Sequence, residues 1–251
     1  MEPNRPIVLT IAGFDPSGGA GILADIKTFE QHKLYGLGIN TAITLQTADQ
    51  FMSIRWEAEA VILQSVETML QHYNISAVKI GIVENGSRLK NIVQTIHQKN
   101  NAIKIIIDPV IKSTSGFGFW KEDLDRTQLA ETLACCFLIT PNYEEATQLL
   151  PATNAKIAAQ QLAQYCAVLL KGGHNCAEPG VDFLYQQQVC TKLLPIASAV
   201  TAKHGSGCVL SAAITANLAL GDELITACTK AKKYIEQFLT SNNTLLGYHH
   251  V

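Results

Sequence analysis

Short apolar runs alternate with stretches of amphipathic, helix-like spacing along most of the chain. Each apolar run predicts a strand, because near-continuous hydrophobic segments of this length are typical of strands that are buried on both faces. The predicted strands occupy residues 7–12, 39–45, 77–83, 103–107, 137–139 and 167–170. A further pair of runs, 181–185 and 189–193, flanks three glutamines and predicts a hairpin.

Helices are predicted between and after these strands. In residues 58–73 the apolar side chains of Ile62, Val66 and Met69 fall on one helical face. Helical spacing also predicts helices over residues 124–136, 156–166, 207–220 and 223–239. Strands that alternate with helices indicate a mostly parallel sheet covered on both faces. Since the sequence contains no internal repeat and no flexible linker, residues 1–251 are predicted to form a single domain.

Composition and charge exclude several classes of protein. Hydrophobic residues make up 47% of the 251 residues and charged residues 16%, a balance that favours a sizeable core over disorder. The net charge of −2 gives no electrostatic basis for binding nucleic acid or an anionic membrane surface. The apolar runs are shorter than the roughly 18 residues of a membrane span, and the amino terminus lacks the basic start of a signal peptide. We therefore expect a cytoplasmic protein.

The number and spacing of the cysteines also favour a cytoplasmic protein. There are seven, an odd number, and none forms a C-x-x-C pair. This pattern argues against a disulfide framework and against a zinc ribbon, and it favours reduced thiols in the cytoplasm.

Two glycine-rich segments near the two ends of the chain carry the first candidate chemistry. Gly205, Ser206 and Gly207 precede an apolar helix, so backbone amides and the positive end of the helix dipole would face an anion there. Cys208 follows in the first helical turn, where a thiolate is favoured, and could accept a proton from an attacking hydroxyl. A plain glycine-rich turn followed by a buried cysteine fits the same residues.

The earlier glycine-rich segment, residues 15–21, follows the first predicted strand. It matches neither the dinucleotide fingerprint nor the P-loop. Asp25 lies one helical turn further on and could face a ligand. The alternative, which the local residues favour slightly, is a helix start with Asp15 or Ser17 as N-cap and Pro16 in the first turn.

Other polar residues stand at the ends of predicted strands. Asn142 and Glu145 could hold magnesium, directly or through water, although Asn followed by Glu three residues later equally predicts a capping box, which the local pattern favours. Lys171, followed by two glycines and His174, could reach a phosphate. Asp108 could join a magnesium network or cap a turn.

Two further positions have weaker patterns. Gln46 ends the second predicted strand, and its amide is suited to a heteroaromatic ring. His249 and His250 stand at the end of the sequence, where a frayed tail is expected.

Taken together, these segments resemble the hydroxymethylpyrimidine kinase / phosphomethylpyrimidine kinase branch of the ribokinase superfamily. The similarity runs from residue 7 to about residue 238 in spaced blocks that occur in the same order. The blocks are residues 10–29, 41–46, 78–81, 108–110, 140–146, 170–174 and 204–213. The resemblance implies a ribokinase-like three-layer α/β/α sandwich that uses ATP and magnesium and forms a homodimer. It also implies an activity, phosphorylation of 4-amino-5-hydroxymethyl-2-methylpyrimidine and of its monophosphate in thiamine biosynthesis.

The resemblance also assigns roles to individual residues. Around the pyrimidine ring it places Gln46 and Asp25, with Gly13, Ile82 and Val110 nearby. The amides of residues 205–208 become the anion hole, and Cys208 stands where other ribokinase relatives carry an aspartate base. Near the phosphates and magnesium the resemblance places Lys171, Asn142, Glu145 and Asp108.

The sequence departs from the family pattern at two segments. Residues 113–117 lack the lysine and the acid that commonly follow the Asp-Pro-Val block, and Lys112 is the candidate to replace that lysine. Lys203 precedes the anion loop and is expected to add a positive charge near the phosphate. Two alternatives therefore stay open. One is a pyridoxal kinase of vitamin B6 salvage, and the other is a non-catalytic relative that binds a ligand without transferring phosphate.

Overall fold

The computed structural model describes residues 5–112, 118–119, 125–175, 177–197 and 200–250. The altered segment 113–117 and the side chain of His174 lie outside the described part of the molecule, and so do the predictions made for them. In the described part the chain forms strands and helices in an alternating order. The strands are β1 (Ile7–Phe14), β2 (Tyr35–Gln46), β3 (Phe51–Trp56), β4 (Ile75–Ile80), β5 (Lys104–Ile107), β6 (Leu138–Ile139), β7 (Ala167–Leu170), β8 (Asp182–Gln186) and β9 (Val189–Leu193). The helices are α1 (Gly21–Gln31), α2 (Glu59–His72), α3 (Gly86–Lys99), α4 (Arg126–Ala134), α5 (Tyr143–Leu149), α6 (Ala155–Leu162), α7 (Ser206–Ala219) and α8 (Leu224–Thr240).

All nine strands join one sheet in the order β3-β2-β1-β4-β5-β6-β7-β8-β9. From β2 to β7 the neighbours are parallel, whereas β3, β8 and β9 pair antiparallel at the two edges. The mostly parallel sheet predicted from the apolar runs is thus confirmed. The predicted hairpin is also present as β8 and β9, and its turn places Gln187 at a φ of 56°.

Helices cover both faces of the sheet, which gives the expected three layers. One face packs against α2 to α6 and buries side chains such as Ile62, Ile92 and Leu162. The other packs against α1, α7 and α8, with Phe29 and Phe238 in its core. Among the described residues, no helix combines the length and the apolar character needed to cross a membrane.

Helix α7 explains how the two ends of the chain meet. Its residues from Val209 to Leu218 are all buried, because the helix lies between the sheet, α1 and α8. A helix that is apolar on all sides is typical of such a central position. Its amino terminus points to the edge of the sheet where the parallel strands end, and this position determines the site.

Two elements were not predicted. Strand β3 leaves most of its side chains exposed or half-buried, so it lacks a continuous apolar run. Helix α3 does carry an apolar face, formed by Leu89, Ile92, Val93 and Ile96. Neither element contributes a predicted site residue.

Candidate active site

The predicted functional residues gather at the carboxyl ends of the parallel strands. The chain leaves β1 for β2 on one side and returns to β4 on the other, so a crevice opens beside the end of β1. Ligands in open α/β sheets bind in such a crevice. The ends of β1, β4, β5 and β7 and the amino terminus of α7 border this region.

The two glycine-rich segments pack directly against each other. Gly205 has a φ of +73°, and a Cβ atom on it would lie 2.0 Å from the carbonyl oxygen of Gly19. A Cβ atom on Gly19 would in turn lie 2.6 Å from Cδ2 of the His204 ring. Only glycine fits both positions, since a side chain would push the two segments apart. The two glycine-rich segments, which lie near opposite ends of the sequence, are therefore in close backbone contact in the fold.

Asp15 and His204 connect these segments through their side chains. The carboxylate of Asp15 accepts hydrogen bonds from Ser17 and from the amide of Ala20, and Nε2 of His204 lies 2.8 Å from its Oδ2 atom. Burial alone would raise the pKa of Asp15, but these hydrogen bonds lower it below its ordinary value. Helix α1 starts only at Gly21, so the prediction that Asp15 or Ser17 caps it is wrong.

Cys208 lies in the first turn of α7 and is partly buried. Burial raises the pKa of Cys208 to about 11, although the nearby ammonium group of Lys79 opposes the shift. Burial therefore opposes the thiolate that the helix terminus was expected to favour.

Lys171 forms the centre of a charged cluster beside the anion loop. Its Nζ atom lies 2.7 Å from Oδ1 of Asp108 and 3.6 Å from Oε2 of Glu145. A Cβ atom on Gly207 would lie 3.3 Å from the same Nζ atom, which places the ammonium group at the loop. The structure therefore brings Lys171 and Gly207 together, as a phosphate site requires.

Asp108 is fully buried and its oxygens are occupied. Besides Lys171, it accepts hydrogen bonds from Thr140 and from Ser211. Burial would raise the pKa of Asp108, but the ammonium groups of Lys171 and Lys79 lower it. The prediction that Asp108 takes part in metal binding is not supported, because its charge is already balanced by a buried cation.

Asn142 and Glu145 form the capping box that the local pattern favoured. Oδ1 of Asn142 accepts from the amide of Glu145, and Oε2 of Glu145 accepts from the amide of Asn142. Burial raises the pKa of Glu145, and Lys171 only partly offsets this effect. Within the described ranges no three His, Cys, Asp or Glu side chains are grouped to enclose a metal ion. These residues fit a magnesium ion held mainly by a nucleotide and water, since magnesium keeps several waters.

Asp25 does not line an open surface. Its carboxylate lies 2.8 Å from Nζ of Lys79 and also accepts a hydrogen bond from Thr10. The side chains of Asp25 and Lys79 both have zero exposure. The predicted contact between Asp25 and a pyrimidine ring therefore finds no support in this arrangement, because the carboxylate is covered and paired.

The other predicted ring contacts lie around the end of β1. A Cβ atom on Gly13 would lie 2.4 Å from Cδ1 of Ile82, so the glycine makes room for that side chain. The hydroxyl of Thr41 donates to the carbonyl oxygen of Ile82 and holds this loop in place. Gln46 and Val110 are partly exposed at the ends of β2 and beyond β5. These residues can form the wall of a small-molecule pocket.

Lys203 has a different role from the one expected. Its ammonium group donates to the carbonyl oxygens of Asn242 and Thr244 and to the Asn242 side chain, and the residue is almost fully buried. Since these three bonds use all three ammonium hydrogens, none is left for a phosphate. Lys203 therefore fastens the carboxyl-terminal segment, and the prediction of a phosphate contact is corrected.

That segment, residues 241–250, packs against the site instead of fraying. The carbonyl oxygen of Leu245 accepts from the amide of His204, and the ring of His249 lies 4.9 Å from the ring of Phe238. Nδ1 of His249 also lies 3.1 Å from the hydroxyl of Tyr234. The expectation of a frayed tail is thus wrong for His249.

Sequence reasoning gave no role to His204 or Lys79. His204 directly precedes the glycine loop, a position that could have indicated a part in the site. Lys79 is a lone charge inside the apolar strand β4, a pattern that rarely occurs without a buried partner. The partner itself could not be inferred, because Asp25 lies 54 positions away.

The sequence is similar to a known protein family and to individual relatives over most of its length. The model of the family described as phosphomethylpyrimidine kinase matches residues 15–251. A hydroxymethylpyrimidine/phosphomethylpyrimidine kinase of Synechococcus elongatus is 35% identical, over 93% of this chain and 91% of the relative. Another from Aquifex aeolicus is 32% identical, over 95% and 96% of the two chains.

Solved structures give a consistent result. A phosphomethylpyrimidine kinase from Clostridium difficile superimposes with a TM-score of 0.78 at 32% identity, covering 92% of this chain and 98% of that chain. A pyridoxal kinase from Staphylococcus aureus in complex with pyridoxal superimposes with a TM-score of 0.81 at 28% identity, covering 94% and 89%. Both resemble the present fold over nearly its whole length.

Proposed function

Because this chain belongs to the phosphomethylpyrimidine kinase family, we propose that its site transfers the γ-phosphoryl group of ATP to 4-amino-5-hydroxymethyl-2-methylpyrimidine and then to the resulting monophosphate. The chain is a phosphotransferase with a ribokinase-like fold. The observation that carries the substrate proposal is the meeting of Lys171 with the glycine loop at the amino terminus of α7, beside the Gly13–Ile82 wall.

The anion loop and Lys171 would stabilise the charge on the transferred group. The amides that open α7 point toward the carboxyl edge of the sheet, and the helix dipole favours negative charge there. Lys171 adds a cation whose pKa is raised by Asp108 and Glu145 against the effect of burial. Phosphoryl transfer depends mainly on such positioning and electrostatic stabilisation.

Magnesium fits this site through water and through the nucleotide. When bound with ATP, it would neutralise charge on the phosphate oxygens. Glu145, whose Oε2 atom lies 3.6 Å from Nζ of Lys171, and Asn142, its partner in the capping box, would orient the water shell of the magnesium ion. Asp108 would act indirectly, because its carboxylate holds the ammonium group of Lys171 in position at a distance of 2.7 Å.

Cys208 is proposed as the proton acceptor. In the reaction the substrate hydroxyl oxygen bonds to the γ-phosphorus, the bond to the leaving ADP oxygen breaks, and the hydroxyl proton passes to the sulfur. This step requires the thiolate, which is scarce at neutral pH because the pKa of Cys208 is about 11. In a loose transition state the hydroxyl loses its proton late, so a small thiolate population can serve.

The pyrimidine would bind against the wall formed by Gly13 and Ile82, with Val110 beside it. The amide of Gln46 can donate to one ring nitrogen and accept from the exocyclic amine. Pyridoxal is a similar hydroxymethyl-bearing ring, and the pyridoxal kinase likeness makes it the second candidate substrate.

The test measures magnesium-dependent ADP release from ATP with hydroxymethylpyrimidine, its monophosphate and pyridoxal in parallel. Turnover on both pyrimidines supports the proposal, and turnover on pyridoxal alone contradicts it in favour of vitamin B6 salvage. Binding of a pyrimidine without ADP release would identify a non-catalytic relative. Omission of magnesium, followed by its restoration, serves as the control for the cofactor.

A homodimer and a cytoplasmic location belong to the same proposal. Ile43 and Leu45 on β2 and Met52 on the neighbouring strand β3 are exposed apolar side chains, and exposed apolar side chains of this kind often lie in a subunit interface. Molar mass in solution, measured for the wild type and for Leu45→Glu, tests the dimer. A monomeric wild type would contradict it.

A further inference from the structure

Three charged side chains are buried together outside the site described above. Lys232 and Glu236 lie one turn apart on α8, and Asp182 begins β8. Each of the three residues is at most 8% exposed. Nζ of Lys232 lies 2.8 Å from Oδ2 of Asp182 and 3.9 Å from Oε1 of Glu236. These three residues form the α8 network. Since aliphatic side chains are often as stable in such a position, the hydrogen bonds of the network indicate what it does.

The first carboxylate of the network fixes the residue that follows Lys171. Oδ1 of Asp182 accepts a hydrogen bond from the amide of Gly172 at 2.7 Å. A Cβ atom on Gly172 would lie 1.9 Å from the carbonyl oxygen of Val181, so the backbones of these two residues are in direct contact. The amide of Lys171 itself donates to the carbonyl oxygen of Pro141. The backbone that carries the Lys171 ammonium group is thus held on both sides.

The ammonium group of the network holds the same turn. Besides its contact with Asp182, Nζ of Lys232 donates to the carbonyl oxygen of Gly180 at 2.6 Å. The amide of Gly180 in turn donates to the carbonyl oxygen of Gly172. Lys232 therefore reaches both backbone groups of Gly172, the amide through Asp182 and the carbonyl oxygen through Gly180. Loss of the cation would leave the Asp182 carboxylate buried without this ion pair.

The second carboxylate holds the segment that leads from β9 to the anion loop. Oε2 of Glu236 accepts hydrogen bonds from the amide of Ile196 at 2.9 Å and from the amide of Ala197 at 2.7 Å. The side chain of Ile196 is 73% exposed, so burial of this side chain contributes little to the position of the segment. The chain continues from here into residues 205–208. One network therefore supports both parts of the phosphate site, Lys171 and the anion loop.

We propose that the α8 network sets the position of Lys171 relative to the anion loop, so that its three members are positioning residues for phosphoryl transfer. Asp182 and Glu236 supply ionised acceptors, which form shorter and stronger hydrogen bonds to backbone amides than neutral acceptors do. Lys232 balances their charge in the core. The catalytic role rests on the proposed function. The hold on the backbone amides does not, so it can be measured on the protein without substrate.

Two matched double variants separate this role from core stability. Lys232→Met with Asp182→Asn removes both charges and keeps an oxygen that can accept from Gly172. Lys232→Met with Asp182→Leu removes the charges and the acceptor at a similar side-chain volume. Lys230→Met, which breaks an exposed pair with Asp222 on the same helix, is the control and should retain wild-type turnover. Thermal unfolding verifies that each variant is folded at the assay temperature.

Turnover gives the first readout. The double variant with Asp182→Asn should keep kcat within about threefold of wild type, whereas the one with Asp182→Leu should lose at least about tenfold. KM for the pyrimidine should stay within about twofold in both, because the ring wall lies elsewhere. Equal losses of kcat in the two double variants, or no loss in either, would overturn the proposal.

Glu236→Gln and Glu236→Leu form a second matched pair. Lys232 keeps Asp182 as its partner in both, and only glutamine offers an oxygen to the amides of Ile196 and Ala197. The same split in kcat is expected, and this pair decides the outcome if the Asp182→Leu double variant does not fold. Equal turnover of the two Glu236 variants would contradict the proposal.

Amide hydrogen exchange gives a readout that needs no substrate. In protein labelled with nitrogen-15 glycine, NMR follows exchange at Gly172 in the wild type and in both double variants. Exchange should be at least about tenfold faster with Asp182→Leu than with Asp182→Asn, because the amide has lost its acceptor. Equal exchange rates would overturn the proposal. If the wild type releases no ADP with any substrate, the proposed function fails, while exchange at Gly172 still decides whether the network holds this turn.

Discussion

Nε2 of His204 lies 2.8 Å from Oδ2 of Asp15, a contact that joins residues 189 positions apart. Through it the loop after the first strand supports the loop that opens α7. The backbones of Gly19 and Gly205 touch beside it, so neither loop can take its shape alone. The geometry of the anion loop is therefore a property of the whole domain, and several measurable effects follow from it.

Substitution of Gly205 by alanine should disrupt the anion loop. The new Cβ atom would meet the Gly19 oxygen at 2.0 Å, and a φ of +73° is strained for alanine. We expect a loss of about 2 to 4 kcal/mol in the free energy of unfolding and a large loss of turnover. Denaturant unfolding and ADP release measure the two effects.

Gly221→Ala is the matched control for this loss. Gly221 has a φ of +95° but open space around its Cα, so it incurs the conformational strain without the clash. If both variants lose the same stability, the contact with Gly19 contributes nothing.

Removal of the Lys171 charge should impair both stability and activity. Lys171→Met leaves Asp108 with one fewer counter-charge in a position that has no exposure to water. We expect about 3 kcal/mol of destabilisation and a loss of turnover of about a hundredfold or more, because a buried charge loses its partner and the phosphate loses a donor. Lys112→Met removes an ammonium group from an exposed pair with Glu144 and should cost less than about 1 kcal/mol. Equal effects of the two substitutions would contradict the assignment.

Cys208→Ala should lower kcat by about two to four orders of magnitude while the protein stays folded. Because burial raises the pKa of Cys208 to about 11, wild-type turnover should increase with pH from 6 to 9, as the thiolate fraction grows. In the variant this increase should disappear. Cys228→Ala, at a buried cysteine of α8, is the control and should leave the pH profile unchanged. Wild-type turnover in Cys208→Ala would remove the cysteine from the mechanism.

His249 should make the protein more stable at neutral than at acidic pH. Burial lowers its pKa from 6.5 to about 4, so between these values the unfolded chain binds the proton and the folded chain does not. Stability from this group is therefore complete above pH 6.5 and is lost as the pH falls toward 4.

In His249→Gln, the stability difference between pH 7 and pH 4.5 should shrink by about 1 to 2 kcal/mol, after allowance for partial exposure. The neighbouring His250 is exposed, and His250→Gln should leave the difference unchanged. Thermal unfolding at both pH values provides the measurement, and identical curves for the two variants would argue against the docked position of His249.

Lys203→Met should weaken the attachment of the carboxyl-terminal segment. Three hydrogen bonds from its ammonium group are lost, so we expect about 1 to 3 kcal/mol of destabilisation and faster proteolysis within residues 241–250. A variant that instead raises KM for ATP without losing stability would restore the phosphate contact that the sequence suggested.

The sequence predicts the parallel core well, because strands buried on both faces are nearly continuous apolar runs. Ala167–Leu170 is predicted to the residue, and the strand ends correctly locate Asp108, Asn142 and Lys171 at one edge of the sheet. Strand β3 is missed because an exposed edge strand needs no apolar run.

Side-chain pairing across distant segments is what the sequence does not reveal. Lys203 looks like a phosphate ligand until the path of residues 242–244 is known, and Asp25 looks available until Lys79 is seen against it. Cys208 illustrates the same limit in energetic terms. Its place at a helix start favours a thiolate, but the burial that reverses this preference depends on how α7, α1 and β4 pack.

Residues 242–245 bind Lys203 and His204, which directly precede the anion loop, and this contact has a consequence for folding during synthesis. A chain is made from its amino-terminal end, so Asp15 and Gly19 leave the ribosome long before Leu245 and His249 do. The loop that would handle ATP therefore reaches its final shape only after nearly all of the domain has emerged, since contacts of such long sequence separation form late.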